Sequence, residues 1–207
     1  MRQNVTRMVR AMQARRAQNG ERGAALVEFA LVVTLMLTLV LGIVEFSIAW
    51  NVKSEAQAAV RAGGRTASAL TRTPDLTKNA AAAVGAALKS IPVNEPQYVM
   101  VYRVAYNQSG APPASCATNC SKFLWNPATK SFTVTNDLGG GWPVSAQGNN
   151  CSPSITDPNQ YDQVGVYVKV VHPFIALPNF VPGMGSNATL DPYSVFRLEP
   201  TSTTACA

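Results

Sequence analysis

Four cysteines, a single histidine and a glutamate set inside an apolar run are the residues whose types and spacing invite chemistry. Cys116 and Cys120 are spaced like the start of a zinc-ligand pair. Cys151 and Cys206 stand alone, however, and His172 is the one histidine, so the second pair that tetrahedral zinc requires is missing. In an oxidising compartment the same four cysteines read as disulfides; four permit three pairings, and sequence does not choose among them. His172 precedes Pro173 at the end of an apolar alternation, which marks a strand end better than a general base. Asp157 and Asp162 flank a proline-containing turn and read as solvated carboxylates. Gly139-Gly140-Gly141 runs into Trp142-Pro143 rather than a helix, so it is no phosphate loop, and no nucleophile motif is present. The expectation is a protein that is not an enzyme and holds no metal or cofactor.

The elements that position these residues begin with charge. The 207-residue chain carries a formal charge of +6 from 17 basic and 11 acidic residues. Arg2, Arg7, Arg10, Arg15, Arg16 and Arg22 all precede Gly23, with Glu21 the one acid among them. The remainder holds 11 basic and 10 acidic residues, so it offers no basic surface for nucleic acid. After this tail comes AALVEFALVVTLMLTLVLGIVEFSIAW, in which Phe29 to Val44 contains no charge. As a helix, 24–50 is about 40 Å long at about 1.5 Å per residue, against roughly 30 Å of bilayer hydrocarbon. Trp50 falls where an interfacial aromatic belongs. The arginine-rich tail places the N-terminus in the cytoplasm and exports the rest, which agrees with the disulfide reading of the cysteines. Ser47-Ile48-Ala49 suits signal peptidase, but the apolar core is longer than a signal peptide's and Glu45 sits just before the site. The expected division is a basic cytoplasmic leader over 1–23, a transmembrane helix over 24–50 and an extracytoplasmic domain over 51–207.

Glu28 lies just inside the apolar run, where a lone carboxylate costs a few kcal/mol on insertion scales. It follows Gly23 by five positions and precedes Phe29, so the order is basic tail, glycine, four small or apolar residues, glutamate, aromatic, apolar helix. ERGAALVEFALVVTLMLTLVLGIVEFSIAWNVKSEAQAAVRAGGR resembles the N-terminal segment of the TadE-like family, minor pseudopilins of tight-adherence (Tad, or Flp) pilus systems. VGVYVKVVHPF and YSVFRLEP also resemble that family's closing strands. The resemblance implies cleavage by a prepilin peptidase between Gly23 and Ala24. It further implies that Glu28, with Phe29 beside it, serves subunit pairing in assembly through the new amine of a neighbouring subunit. A buried pair of that kind acts as a register device, because an unpaired partner is costly. The implied partners are the membrane, the peptidase, and other pilin or pseudopilin subunits with their secretion machinery.

Beyond Trp50 the helix is expected to continue. Ala56, Ala59, Val60, Gly63, Ala67 and Leu70 form one stripe, and small residues recur every four positions. Gly63-Gly64 weakens the case for a straight helix there. Thr73-Pro74-Asp75 reads as the start of a second helix, with Leu76, Ala80, Val84, Leu88 and Ile91 on its apolar face, ending before Pro92. The period then changes to two over 98–106, briefly at Phe132 and Val134, over Val164 to Val170, and over Ser194 to Leu198. Loops rich in proline, glycine and asparagine separate these strands, and disulfides from Cys116, Cys120, Cys151 and Cys206 would brace them. The predicted class is α+β: a long pilin-like N-terminal helix, a second amphipathic helix and a small antiparallel sheet. The function expected is a structural one in pilus or secretion-filament assembly; the alternative is an anchored extracytoplasmic binding module that no prepilin peptidase processes.

Overall fold

A computed structural model describes residues 2–70, 75–104, 109–117, 119–133, 163–175 and 185–198, with side chains from Gly23 onward. The chain divides into two units, Met1–Phe46 with Ile175–Met184 and Ser47–Phe174 with Gly185–Ala207. The described elements run α1 (Arg2–Ala69), α2 (Leu76–Ala87), β1 (Pro96–Val104), β2 (Cys120–Asn126), β3 (Ser131–Thr133), β4 (Gln163–Pro173), β5 (Asn187–Leu190) and β6 (Tyr193–Arg197). The architecture is α+β, with one long N-terminal helix, a second helix and an antiparallel sheet.

In the first unit, α1 from Gly23 onward is long and apolar enough to cross a membrane. Its large side chains point outward: Leu26 and Leu31 are 69% exposed and Ile43 is 66% exposed. An apolar surface of this extent is stable only against lipid or another apolar partner. The hydroxyls inside the run are satisfied locally. Thr34 Oγ1 donates to the Ala30 carbonyl and Thr38 Oγ1 to the Leu35 carbonyl, both at 2.8 Å, which lets polar side chains sit on an apolar helix.

In the second unit, the apolar stripe of α1 becomes core. Ala56, Ala59, Val60 and Ala67 are fully buried, and Leu70 packs against the same cluster. Gly63-Gly64 does not break the helix. A Cβ at Gly63 would lie 2.5 Å from Val84 Cγ2, 3.1 Å from the Ala80 carbonyl oxygen and 3.3 Å from Val166 Cγ1; one at Gly64 would collide with the Phe196 ring. The glycines therefore let α1 approach α2 and the sheet closely, and packing outweighs their poor helix propensity. α2 buries Leu76, Ala80, Ala81 and Val84 and ends in a turn through Leu88. Asp75 occupies its N-cap without a side-chain capping bond, and Thr73 and Pro74 lie outside the described residues.

The strand order is β3-β2-β1-β4-β5, with β6 also on β4. One sheet face packs on the helices through Val99, Val101, Phe123, Val164, Val166, Val168 and Val170, the alternation that the sequence displays in β1 and β4. The opposite face carries Met100, Tyr102, Cys120 and Tyr167. Two strands, β2 and β5, have no counterpart among those expected from the alternation. β5 and β6 prove to be halves of one edge strand, since the register with β4 is the same at Val170↔Leu190 and Tyr167↔Tyr193. Pro192, which lacks an N–H, interrupts this strand while its carbonyl still accepts from Val168 N at 3.1 Å. Val134 of the predicted third strand lies outside the described residues.

Candidate functional site

The first candidate site is the start of the apolar helix. Gly23 is helical and a Cβ there would meet nothing within 4 Å, so its lack of a side chain serves no packing purpose among the described residues. Ala24, Glu28 and Phe29 are exposed on the same helix. Ala24 and Glu28 lie one turn apart on one face, about 6 Å along the axis. This is a bare backbone segment followed by a carboxylate that an outside group can reach.

Among the cysteines, Cys116 and Cys120 form a disulfide with a Cα–Cα distance of 5.2 Å. That pairing removes the ligand pair on which the zinc alternative rested. Cys151 and Cys206 lie outside the described residues, as do Asp157 and Asp162. Cys120 stands opposite Tyr102 in the β1–β2 ladder, so the bridge holds the preceding loop over the second sheet face. There the Tyr102 hydroxyl donates to the Gly110 carbonyl at 2.8 Å. Burial pushes the Tyr102 phenol well above its ordinary value, and nearby Tyr193 adds to the shift. The Tyr167 phenol is also pushed up, by burial and then by its hydrogen bond to Asp191 Oδ1 at 2.7 Å. Among the described residues no group of three or more His, Cys, Asp or Glu side chains is arranged to hold a metal.

His172 has a partner the sequence did not suggest. Its Nδ1 lies 2.9 Å from Glu95 Oε1, and both side chains are buried. The backbone reinforces the pair, with Val171 N donating to the Glu95 carbonyl at 2.9 Å. The separation of 77 residues leaves no local signal of this contact. A buried acid–base pair fastens the segment before β1 to the end of β4. Trp125 acts similarly nearby: its indole N–H donates to the Val93 carbonyl at 2.6 Å while the ring packs edge-on to Phe132 at 5.0 Å.

Comparison with known proteins adds one finding. Neither the curated proteins nor the solved structures include a match to this chain. A family model described as TadE-like protein matches residues 23–65, beginning at Gly23 and ending within the part of α1 whose buried stripe joins the core. Residues 23–65 are thus similar to a TadE-like segment, a likeness that supports a general association with Tad pili.

Proposed function

We propose that the chain is a membrane-anchored pseudopilin with a structural, non-catalytic role in assembling a Tad/Flp-type pilus or secretion filament. The observation that carries this reading is the coincidence at Gly23. The family match starts on that residue, the glycine has no packing role among the described residues, and Glu28 stands exposed five positions on. In this proposal the basic leader stays in the cytoplasm and the α+β domain lies on the far side of the membrane. A prepilin peptidase cuts after Gly23. The freed Ala24 amine then pairs with Glu28 of a neighbouring subunit, fixing axial register.

N-terminal sequencing of protein extracted from membranes is expected to begin at Ala24. An intact Met1 end in a host with the peptidase would leave an anchored binding module as the better description. Glu28→Ala is expected to insert normally, because it removes a desolvation cost, and to abolish filaments counted per inserted molecule. Normal filament numbers from Glu28→Ala would refute the pairing.

A further inference from the structure

Where α1 enters the second unit it carries a polar stripe apart from its core stripe. Trp50, Lys53, Gln57 and Arg61 recur at spacings of three or four and line an open cleft of about 310 Å³. A second cleft of about 280 Å³ shares Lys53 and Gln57 with the first, and its far wall is Asp191, Pro192 and Tyr193. The wall is fixed. Gln57 Nε2 donates to the Tyr193 carbonyl at 3.3 Å, Ser194 Oγ to the Val60 carbonyl at 2.8 Å, and the Tyr167 hydroxyl to Asp191 at 2.7 Å. Lys53 is steadied by the Trp50 ring, 5.6 Å from its Nζ. Lys53 and Asp191 thus line one cleft with opposite charges, and no ion pair joins them among the described residues.

We propose that this cleft binds the phosphoethanolamine headgroup of a bilayer lipid, its phosphate on Lys53 and its ammonium on Asp191 beside the Tyr193 ring. The placement rests on reading α1 as the membrane helix. Trp50 then marks the interface, and Lys53 stands about 4.5 Å above it, at headgroup level. A slot whose walls hold one cation and one anion unneutralised by each other suits a ligand bearing both charges. A purely anionic headgroup would leave Asp191 facing its phosphate. A choline headgroup carries the cation but no N–H to donate to the carboxylate, so it satisfies Asp191 less well.

The test is native mass spectrometry of the full chain in detergent micelles, titrated separately with phosphatidylethanolamine, phosphatidylcholine and phosphatidylglycerol of identical acyl chains. Ethanolamine lipid is expected to bind about threefold more tightly than either rival, the discrimination that the one exposed ammonium–carboxylate contact supplies, since all three lipids share the phosphate. Asp191→Asn should remove that preference, whereas Lys53→Gln should weaken binding of all three lipids through their shared phosphate. The amide oxygen introduced by Asp191→Asn would still accept from Tyr167, so the wall should survive, and Lys122→Gln on β2 should change nothing. Equal binding of all three lipids would overturn the proposal. So would tighter binding of phosphatidylglycerol in Asp191→Asn than in wild type combined with no wild-type ethanolamine preference. Displacement of the lipid by inorganic phosphate would assign the cleft to free phosphate and overturn it as well. Flotation of the same protein with phosphatidylethanolamine vesicles separates this idea from the anchor beneath it. Protein that floats but shows no headgroup preference refutes the headgroup site alone; protein that fails to float refutes the membrane helix.

Discussion

Gly63→Ala is a sharp test of how α1 is held in the second unit, because two effects of similar size oppose each other. Alanine in a helix interior is favoured over glycine by about 1 kcal/mol. Against this, the new methyl would sit 2.5 Å from Val84 Cγ2, 3.1 Å from the Ala80 carbonyl oxygen and 3.3 Å from Val166 Cγ1. Val84 is β-branched on a helix and has little rotamer freedom, and the Ala80 contact is backbone, so relief requires α1 and α2 to move apart. Overpacking of this kind costs about 1–3 kcal/mol, and the rigid neighbours place the cost at the upper end. The net expectation is a loss of about 1–2 kcal/mol, or a midpoint lowered by roughly 2–8 °C for a domain of this size. Gly85→Ala is the matched comparison. Its Cβ would meet the Phe132 ring at 3.3 Å and other atoms only at 3.7 Å and beyond, so the helix gain should roughly cancel the contact. Thermal unfolding of the full chain in micelles, followed by near-ultraviolet circular dichroism, provides the measurement. Adding Val84→Ala to Gly63→Ala should cost less than the sum of the two single changes, since it removes the clashing methyls. A Gly63→Ala protein that melts at or above wild type would refute the close-packing argument.

Three further outcomes follow from the same structure. His172→Ala strands the buried Glu95 carboxylate and should cost about 3–5 kcal/mol in denaturant unfolding, whereas Glu95→Gln, which keeps an acceptor, should cost less; equal small effects would show that the pair is not coupled. The Tyr102 and Tyr167 phenols hold their protons more tightly in the native state than the unfolded chain does, so their contribution is complete below the ordinary value of 10.0 and is lost as pH rises above it. Phenolate absorbance should therefore show these two ionising only as the fold is lost, and early ionisation of all tyrosines in a folded protein would contradict their burial. Replacing Cys116 and Cys120 together by serine should lower stability by about 2 kcal/mol, the loop-closure value for so short a loop, and peptide mapping of unreduced protein should recover these two cysteines linked to each other.

Much of the fold could be read from periodicity. The stripe from Ala56 to Leu70 and the valines of β4 are legible because burial on one face imposes spacings of 3.6 and 2 on the sequence itself. β2 and β5 were not legible, for different reasons. In β2, Cys120 to Asn126 mixes serine, lysine and asparagine with Phe123 and Trp125, and its place is set by pairing with β1. β5 is four residues with an exposed or half-buried pattern, and only its ladder to β4 defines it. At Gly63-Gly64 local propensity pointed the wrong way, because the cause of the glycines lies on α2 and the sheet. The Gly23–Glu28 spacing was visible since both residues belong to one helix segment. The Glu95–His172 contact and the cleft between α1 and Asp191 were invisible, since each joins residues far apart in the chain.

The interrupted edge strand limits pairing of this sheet with another chain. An unbroken outer strand on β4 would present a row of free backbone groups, and a second molecule could extend the sheet indefinitely by adding its own strand. Pro192 removes a donor in the middle of that row, and the pieces on either side are four and five residues long. The opposite border, β3, is only three residues. Among the described residues neither border offers a long template for cross-β growth. For the pseudopilin role proposed above, this would steer association toward contacts made by side chains, with order set by shape and charge rather than by continuous backbone pairing.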